Sequence, residues 1–228
     1  MKASFLSLDW SPVWMSLLLA VVTTLVLFVL ALPLAAWLGH TRSRWRPLVE
    51  TLVTLPIVLP PTVLGFYLLV LLSENGLLGG IFSNLFDVSL AYSFPGLVVG
   101  SVVYSCPFMV QPLQAGFQSL SPSVRESAYV LGKSRWTTLT RVLLPNVKAP
   151  LLTALVLTFA HTLGEFGVVM MLGGNMEHLR PASVAIYQSV LEMNYEQAHV
   201  YSLILFVLSF TILFPVYYWS RKKALATS

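Results

Sequence analysis

Residues 126–145 read ESAYVLGKSRWTTLTRVLLP, a polar stretch set between two of the most apolar parts of the chain. Arg125 precedes it, Lys133, Arg135 and Arg141 lie within it, Gly132 interrupts it and Pro145 ends it. Helix-start signals stand just upstream: Ser121 in a capping position, Pro122 at the first helical position, and Ser123 with Glu126 at capping-box spacing. Val124, Ala128 and Leu131 then fall on one side at i, i+4 and i+7. Gly132 ends that helix because glycine tolerates the left-handed conformation of a helix C-terminus. Ser134 caps a second helix, in which Trp136, Leu139 and Leu143 share a face, and Pro145 ends the segment. The spacing therefore predicts two short helices joined at a glycine, a rigid projection with an apolar ridge and a charged rim. That shape suits docking to a partner. Taken singly, the four cations need no more explanation than the excess of Lys and Arg on the cytoplasmic side of membrane proteins.

The surroundings of this segment are membrane. The chain has 228 residues, 57% hydrophobic and only 10% charged, with a mean hydropathy of +0.80, whereas a soluble domain carries about 25% charge. Five stretches approach or exceed the roughly 20 apolar residues a bilayer requires: 13–38, 51–72, 94–117, 149–172 and 200–220. Only the fourth contains an Asp, Glu, Lys or Arg, and that is Glu165. The expectation is an all-α polytopic membrane protein of five transmembrane helices, with residues 1–228 forming one transmembrane domain. The first stretch is too long for a secretory signal, and Arg42, Arg44 and Arg46 follow it where a cleavage site would stand, so it reads as a retained helix.

With five spans, eleven of the thirteen basic residues fall on one side, leaving Lys2 and Arg180 on the other. This predicts an outer N-terminus and a cytoplasmic C-terminus. It also accounts for a pI near 9.3 without nucleic acid as a partner. Cys106, the lone cysteine, has no partner within the chain for a disulfide. Of the two longer outer loops, 73–93 carries Ile81, Phe82, Leu85 and Phe86 at the spacing of a short helix lying on the membrane surface or under a partner. Loop 173–199 places Ala185, Ile186, Ser189, Val190 and Met193 on one helical face, for function or for packing back on the spans.

Within the spans, Pro56, Pro60 and Pro61 weaken the second. Broken backbone at membrane depth must be buried in protein or line a wet cavity, and a kinked helix end at the interface is the simpler alternative. His161 and Glu165 stand four residues apart in the fourth span, which would place them on one helix face within pairing reach. An intramembrane carboxylate is a functional candidate. Glu165 fits a structural or gating role, holding the Gly164–Gly167 backbone; solvation at the outer interface is the alternative. The four histidines show no metal-binding spacing, and neither a GxxxxGK[ST] phosphate loop nor a GxSxG elbow is present, so the chain carries no ATPase or hydrolase machinery of its own.

Glu126-Ser127-Ala128, three residues, Gly132, nine residues, Val142, one residue, Leu144-Pro145 resembles the EAA signature of ABC importer permeases, E-A-A-x3-G-x9-I-x-L-P, with Ser127 and Val142 as mild departures. The stretches LPIVLPPTVLGFYLL, SCPFMVQPLQAGF, FAHTLGEFG and GGNMEHLRPASVAIY are similar to those of molybdate ABC transporter permeases, so the resemblance spans nearly the whole chain. His161 departs from it, standing where arginine is expected in many relatives. The resemblance implies a type I-like importer fold in the cell (inner) membrane. It implies a cytoplasmic ABC ATPase that binds the ATP and grips Glu126, Ser127, Ala128, Gly132, Leu144 and Pro145, and an extracytoplasmic molybdate-binding protein. No cofactor is expected on the chain itself. Tungstate and sulfate or thiosulfate permeases are the neighbouring readings. A proton-coupled secondary anion transporter using His161 and Glu165 is the reading from another class.

A doubly charged oxyanion cannot cross hydrocarbon, where burying one charge costs on the order of 20 kcal/mol. It needs a wet path lined by neutral donors, for which Thr54, Thr62, Ser101, Ser105 and Thr158 are candidates. Five helices are few to enclose such a path, so a second copy of the chain is expected beside the first, as a homodimer in membrane lipid. Pro60, Pro61, His161, Gly164, Glu165 and Gly167 are the residues expected to shape or gate it.

Overall fold

The computed structural model describes residues 8–87, 89–174 and 176–226, and every regular element among them is helical. The chain runs α1 (Ser11–His40), α2 (Arg46–Val58), α3 (Pro61–Leu72), α4 (Leu77–Phe86), α5 (Phe94–Gln118), α6 (Pro122–Val130), α7 (Arg135–Asn146), α8 (Lys148–Leu163), α9 (Gly167–Val169), α10 (Ala182–Leu191) and α11 (Tyr195–Ala226). Four helical stretches are long and apolar enough to cross a membrane, and five if α7 and α8, bent at 88° to each other, count as one span. The expected five transmembrane stretches lie within this range, but two of them are interrupted. The second is cut in two at Leu59–Pro60, and the fourth is a helix of 16 residues followed by a break.

α1, α5 and α8 form the centre of the bundle, packed pairwise against one another. Two apolar cores are stacked along them. One, at the C-terminal end of α1, joins Leu27, Ala31, Ala35 and Leu38 to Met109, Leu113 and Phe117 of α5 and to Leu139 and Leu143 of α7. The other joins Leu19 to Leu64, Leu68 and Leu72 of α3 and to Val168 and Leu172. Lipid is as apolar as leucine, so close backbone approach, rather than expulsion of water, holds such helices together. Gly116 is one such contact: a β-carbon there would lie 2.7 Å from Pro150 Cβ, so α5 and α8 touch at van der Waals range only because none is present.

The loops behave as the chemistry of their ends dictates. The apolar patch at Ile81, Phe82 and Leu85 forms α4, its side chains exposed. The second outer loop folds back as α10, whose Ala182 N–H donates to the Ser16 hydroxyl of α1 at 2.8 Å in a buried contact. Ala185 and Ser189 are buried, but Val190 and Met193 of the expected face are exposed. Tyr201 of α11 donates its hydroxyl to the Asp9 carbonyl at 2.7 Å, which fixes the start of α11 beside the start of α1. Elsewhere α11 is largely turned outward, its Phe206, Phe210, Phe214 and Tyr218 rings stacked in series at one face. Thr41, Arg125 and Arg135 line a single cleft at one end of the bundle, while Arg180 lies with Ser11 and Trp14 at the other. Lys2 lies outside the described residues.

Candidate functional site: a broken-helix junction and a protruding helix pair

The break in the second span follows from consecutive prolines. A residue before proline is pushed out of the helical region, and Leu59 (φ −71°, ψ 139°) and Pro60 (φ −55°, ψ 132°) are both extended. Pro61 then starts α3 where its missing N–H costs nothing, and the Pro60 carbonyl accepts from Val63 and Leu64. Pro56, by contrast, stays inside α2 and is buried.

The break in the fourth span lies at Gly164–Phe166, with Phe166 at φ −126°, ψ −63°. It meets the first break directly. A β-carbon at Gly167 would sit 2.6 Å from Pro61 Cβ and 3.4 Å from the Thr62 nitrogen, and one at Gly65 would sit 2.9 Å from Met171 Cβ. Of the sequence-predicted residues, Gly167 meets Pro61 directly; Pro60 adjoins that contact on one chain segment, and Gly164 and Glu165 form the neighbouring break on the other.

Glu165 stands outside α8, so the helical i, i+4 relation to His161 does not exist. The expected His161–Glu165 pair is absent, and solvation of Glu165 at an interface is excluded by its exposure of 3%. Both of its carboxyl oxygens lack a hydrogen-bond partner among the described residues. Ser101 of α5 faces the carboxyl but stops short of hydrogen-bond geometry. The Glu165 carbonyl accepts from the Ser183 hydroxyl of α10, and its N–H donates to the Thr162 carbonyl. His161 is clamped to α5 instead: Nδ1 lies 2.9 Å from Ser105 Oγ, which also bonds Thr162 Oγ1 at 2.9 Å. Its ring stacks on Phe108 at 4.1 Å between centroids and meets Tyr104 at 4.7 Å.

Of the expected lining hydroxyls, Ser101, Ser105 and Thr158 are wholly buried within the chain and face no open surface. Thr62 is exposed, and Thr54, partly exposed, accepts from Gln111 Nε2 at 3.3 Å. Gln114 donates to Glu50 Oε1, which also receives Arg46 Nε at 2.9 Å. The Arg46 guanidinium, with Gln114, holds the Glu50 carboxyl below the usual carboxylate range. Glu50, Thr54, Gln111 and Gln114 therefore make a polar ladder between α2 and α5 that the sequence reading missed. Its signal was present in VQPLQ, two amides three residues apart in a span, but uncharged amides do not interrupt an apolar stretch.

The protruding pair is α6 and α7. Pro122 starts α6, and Gly132, at φ +71°, ends it with Gly132 N–H to Tyr129 O and Lys133 N–H to Ala128 O. Ser134 caps α7 by accepting the Thr137 N–H. Two details differ from expectation. The Ser121 hydroxyl bonds Ser123 rather than a backbone N–H, so no capping box closes with Glu126. Leu131 is 74% exposed rather than sharing the inner face of Val124 and Ala128. α7 also contains a π-helical stretch, Thr138–Leu143, which buries Leu139 and Leu143 while Trp136 stays exposed. The ridge facing outward is thus Tyr129, Val130 and Leu131, beside exposed Glu126, Ser127 and Gly132. Leu144 and exposed Pro145 lie at the far end of α7, next to the bend into α8.

The 16 residues of α8, about 24 Å of helix, run from that bend to the break at Gly164, so the two halves of the site are ends of one rod. Among the described residues no three His, Cys, Asp or Glu side chains gather as a metal set.

Residues 31–222 match the family model described as binding-protein-dependent transport system inner membrane component. The chain is 44% identical, over 95% of its length and 96% of the relative's, to the molybdenum transport system permease protein ModB of Azotobacter vinelandii. It is 33% identical to the sulfate transport system permease protein CysT of Escherichia coli (strain K12), over 80% of this chain and 66% of that one. Its fold superimposes on a bacterial ABC transporter involved in the import of the acidic polysaccharide alginate with a TM-score of 0.73, at 22% identity, covering 93% of this chain and 78% of that chain. A membrane bundle with interrupted helices and a protruding helix pair agrees with those matches: the chain belongs to the binding-protein-dependent transport system inner membrane component family and is a transporter permease subunit, not an enzyme.

Proposed function

We propose that the chain is the membrane-spanning subunit of an ATP-driven importer that carries molybdate into the cytoplasm by alternating access. The observation that carries this reading is the mechanical layout: an exposed helix–glycine–helix knob joined through α8 to the junction of two broken helices. A separate ATPase grips the ridge at Val130 and Leu131 beside Glu126, Ser127 and Gly132. ATP binding draws two such knobs together, and α8 transmits the movement to Gly164–Gly167 and hence to Pro60–Pro61. Two copies of the chain, each a single transmembrane domain, enclose the path.

Neutral donors suit a dianion that must shed part of its water without meeting a fixed negative charge. The exposed Thr62 hydroxyl in the first turn of α3 and the amide of Gln111, bonded to the neutral Thr54, supply them, whereas the Gln114 amide is engaged by the Glu50 carboxylate. Glu165, buried away from that surface, shapes the junction rather than contacting the anion. ATP is bound by the partner, and the chain itself needs no cofactor. The basic end of the bundle faces the cytoplasm, with the N-terminus outside. An extracytoplasmic binding protein docks on α4 and the α10 region.

Molybdate is chosen over sulfate because the likeness to the molybdenum permease is higher and extends over both whole chains. The test is uptake of labelled molybdate at low concentration in the native host with the chain deleted and then restored. Uptake should vanish on deletion, return on restoration, and be blocked by tungstate but not by sulfate. Unchanged molybdate uptake with a fall in sulfate uptake would reassign the substrate.

A further inference from the structure

At the basic end of the bundle an open cleft of about 600 Å³ separates the last turns of α1 from the α6–α7 pair. Trp37 stands on the α1 side, Arg125, Arg135 and Trp136 on the other, and the buried side chains of Leu139 and Leu143 form its apolar part. Neither arginine has a carboxylate partner among the described residues. The Arg125 Nε is shielded from solvent and meets no acceptor, a state that costs free energy until an acceptor arrives.

The depth of the cleft identifies the kind of acceptor. Trp14 and Trp37 are both exposed on α1, and the helical rise between them is about 34 Å. That matches the hydrocarbon thickness of a bilayer with a tryptophan at each interface. The Trp37 end of the cleft therefore opens at headgroup level. Two unpaired guanidiniums at that level, above apolar side chains, complement a molecule with an anionic phosphate head and a hydrocarbon tail. A free anion would leave the leucines and both indoles unmatched.

We infer that this cleft binds the phosphate headgroup of an anionic phospholipid from the leaflet at the basic end of the bundle. Arg125 and Arg135 hold the phosphate, and the first acyl methylenes run over Leu139 and Leu143. Arg125 sits on α6 and Arg135 on α7, while Trp37 belongs to α1. The lipid therefore ties the glycine-jointed pair to the bundle and sets how freely it moves. The inference rests on the cleft alone and holds whatever the chain transports.

The test uses the full-length chain in nanodiscs of phosphatidylcholine, with and without phosphatidylglycerol, analysed by native mass spectrometry. The expected result is a retained phosphatidylglycerol that is lost, with affinity about tenfold or more lower, in an Arg125→Gln/Arg135→Gln chain. Arg44→Gln, an arginine at the same end that lies over Trp45, should leave it in place. A photoreactive phosphatidylglycerol should label peptides containing Trp37 or Trp136 in the unaltered chain, a readout independent of how the variants fold. Equal retention of phosphatidylcholine, equal loss in Arg44→Gln, or labelling elsewhere would overturn the inference. Displacement of the lipid by inorganic phosphate at comparable concentration would do so too, by assigning the cleft to a free anion.

Discussion

A Gly132→Val chain is expected to lose molybdate uptake by about tenfold or more while still reaching the membrane with its spans folded. The cause is backbone geometry rather than crowding. Gly132 sits at φ +71° with nothing within 4 Å of where a β-carbon would stand, so valine has room but the wrong conformation. An L-residue held there costs about 1–2 kcal/mol, and a β-branched one more. The chain escapes that cost by remaking the turn, which breaks the bonds from Gly132 N–H to Tyr129 O and from Lys133 N–H to Ala128 O. α6 and α7 then lose their fixed angle, and with it the shape of the ridge an ATPase would grip. Gly132→Asn is the paired control, because asparagine tolerates the left-handed region, and it should keep most of the uptake. Uptake and co-purification of the ATPase are measured together. Wild-type values for both in Gly132→Val would remove the coupling role from this turn.

Gly167→Ala should be strongly damaging for a single added methyl group at the junction of the two broken helices. Its β-carbon would stand 2.6 Å from Pro61 Cβ, and neither α3, pinned by its proline pair, nor the Glu165 backbone, bonded to Ser183, gives way freely. Overpacking of this kind costs roughly 1–3 kcal/mol, a melting temperature lower by about 3–10 °C for a chain of this size. Uptake should fall at least as steeply, because the contact is the place where the two broken helices meet. Gly164→Ala, three residues earlier, has only backbone oxygens at 3.8 and 3.9 Å to contend with and should melt within about 2 °C of the unaltered chain. Equal melting temperatures and equal uptake in the two variants would mean that the junction is not the tight element argued for.

Much of this layout was legible in the sequence because the relevant signals are local. Ala128, Gly132 and Ser134 take the inner-face, left-handed and capping positions that their chemistry prefers, and the proline pair breaks the second span where it stands. What was not legible depends on neighbours. Whether Ser121 caps a backbone N–H or bonds Ser123 is decided by one rotamer. Placing His161 and Glu165 on one face presumed a continuous helix, and the chain leaves the helix at Gly164. A break marked by glycine is harder to read than one marked by proline, since glycine also serves close packing, as at Gly116. The Gln111–Thr54 and Gln114–Glu50 ladder links residues 57 and 64 apart in the chain, a relation no local pattern carries. The π-helical stretch in α7 likewise reflects the fit of Leu139 and Leu143 into the core beneath α1 rather than any preference of those residues.

Reconstitution decides whether the chain moves an anion with energy delivered at the 126–145 segment. The full-length chain is placed in proteoliposomes with its ATPase and binding protein, and labelled molybdate uptake is followed with ATP present or absent and with a protonophore. Uptake should require ATP and the ATPase and be unaffected by collapse of the proton gradient. Uptake by the chain alone, driven by a pH gradient and abolished by the protonophore, would contradict it and return the chain to the class of proton-coupled carriers.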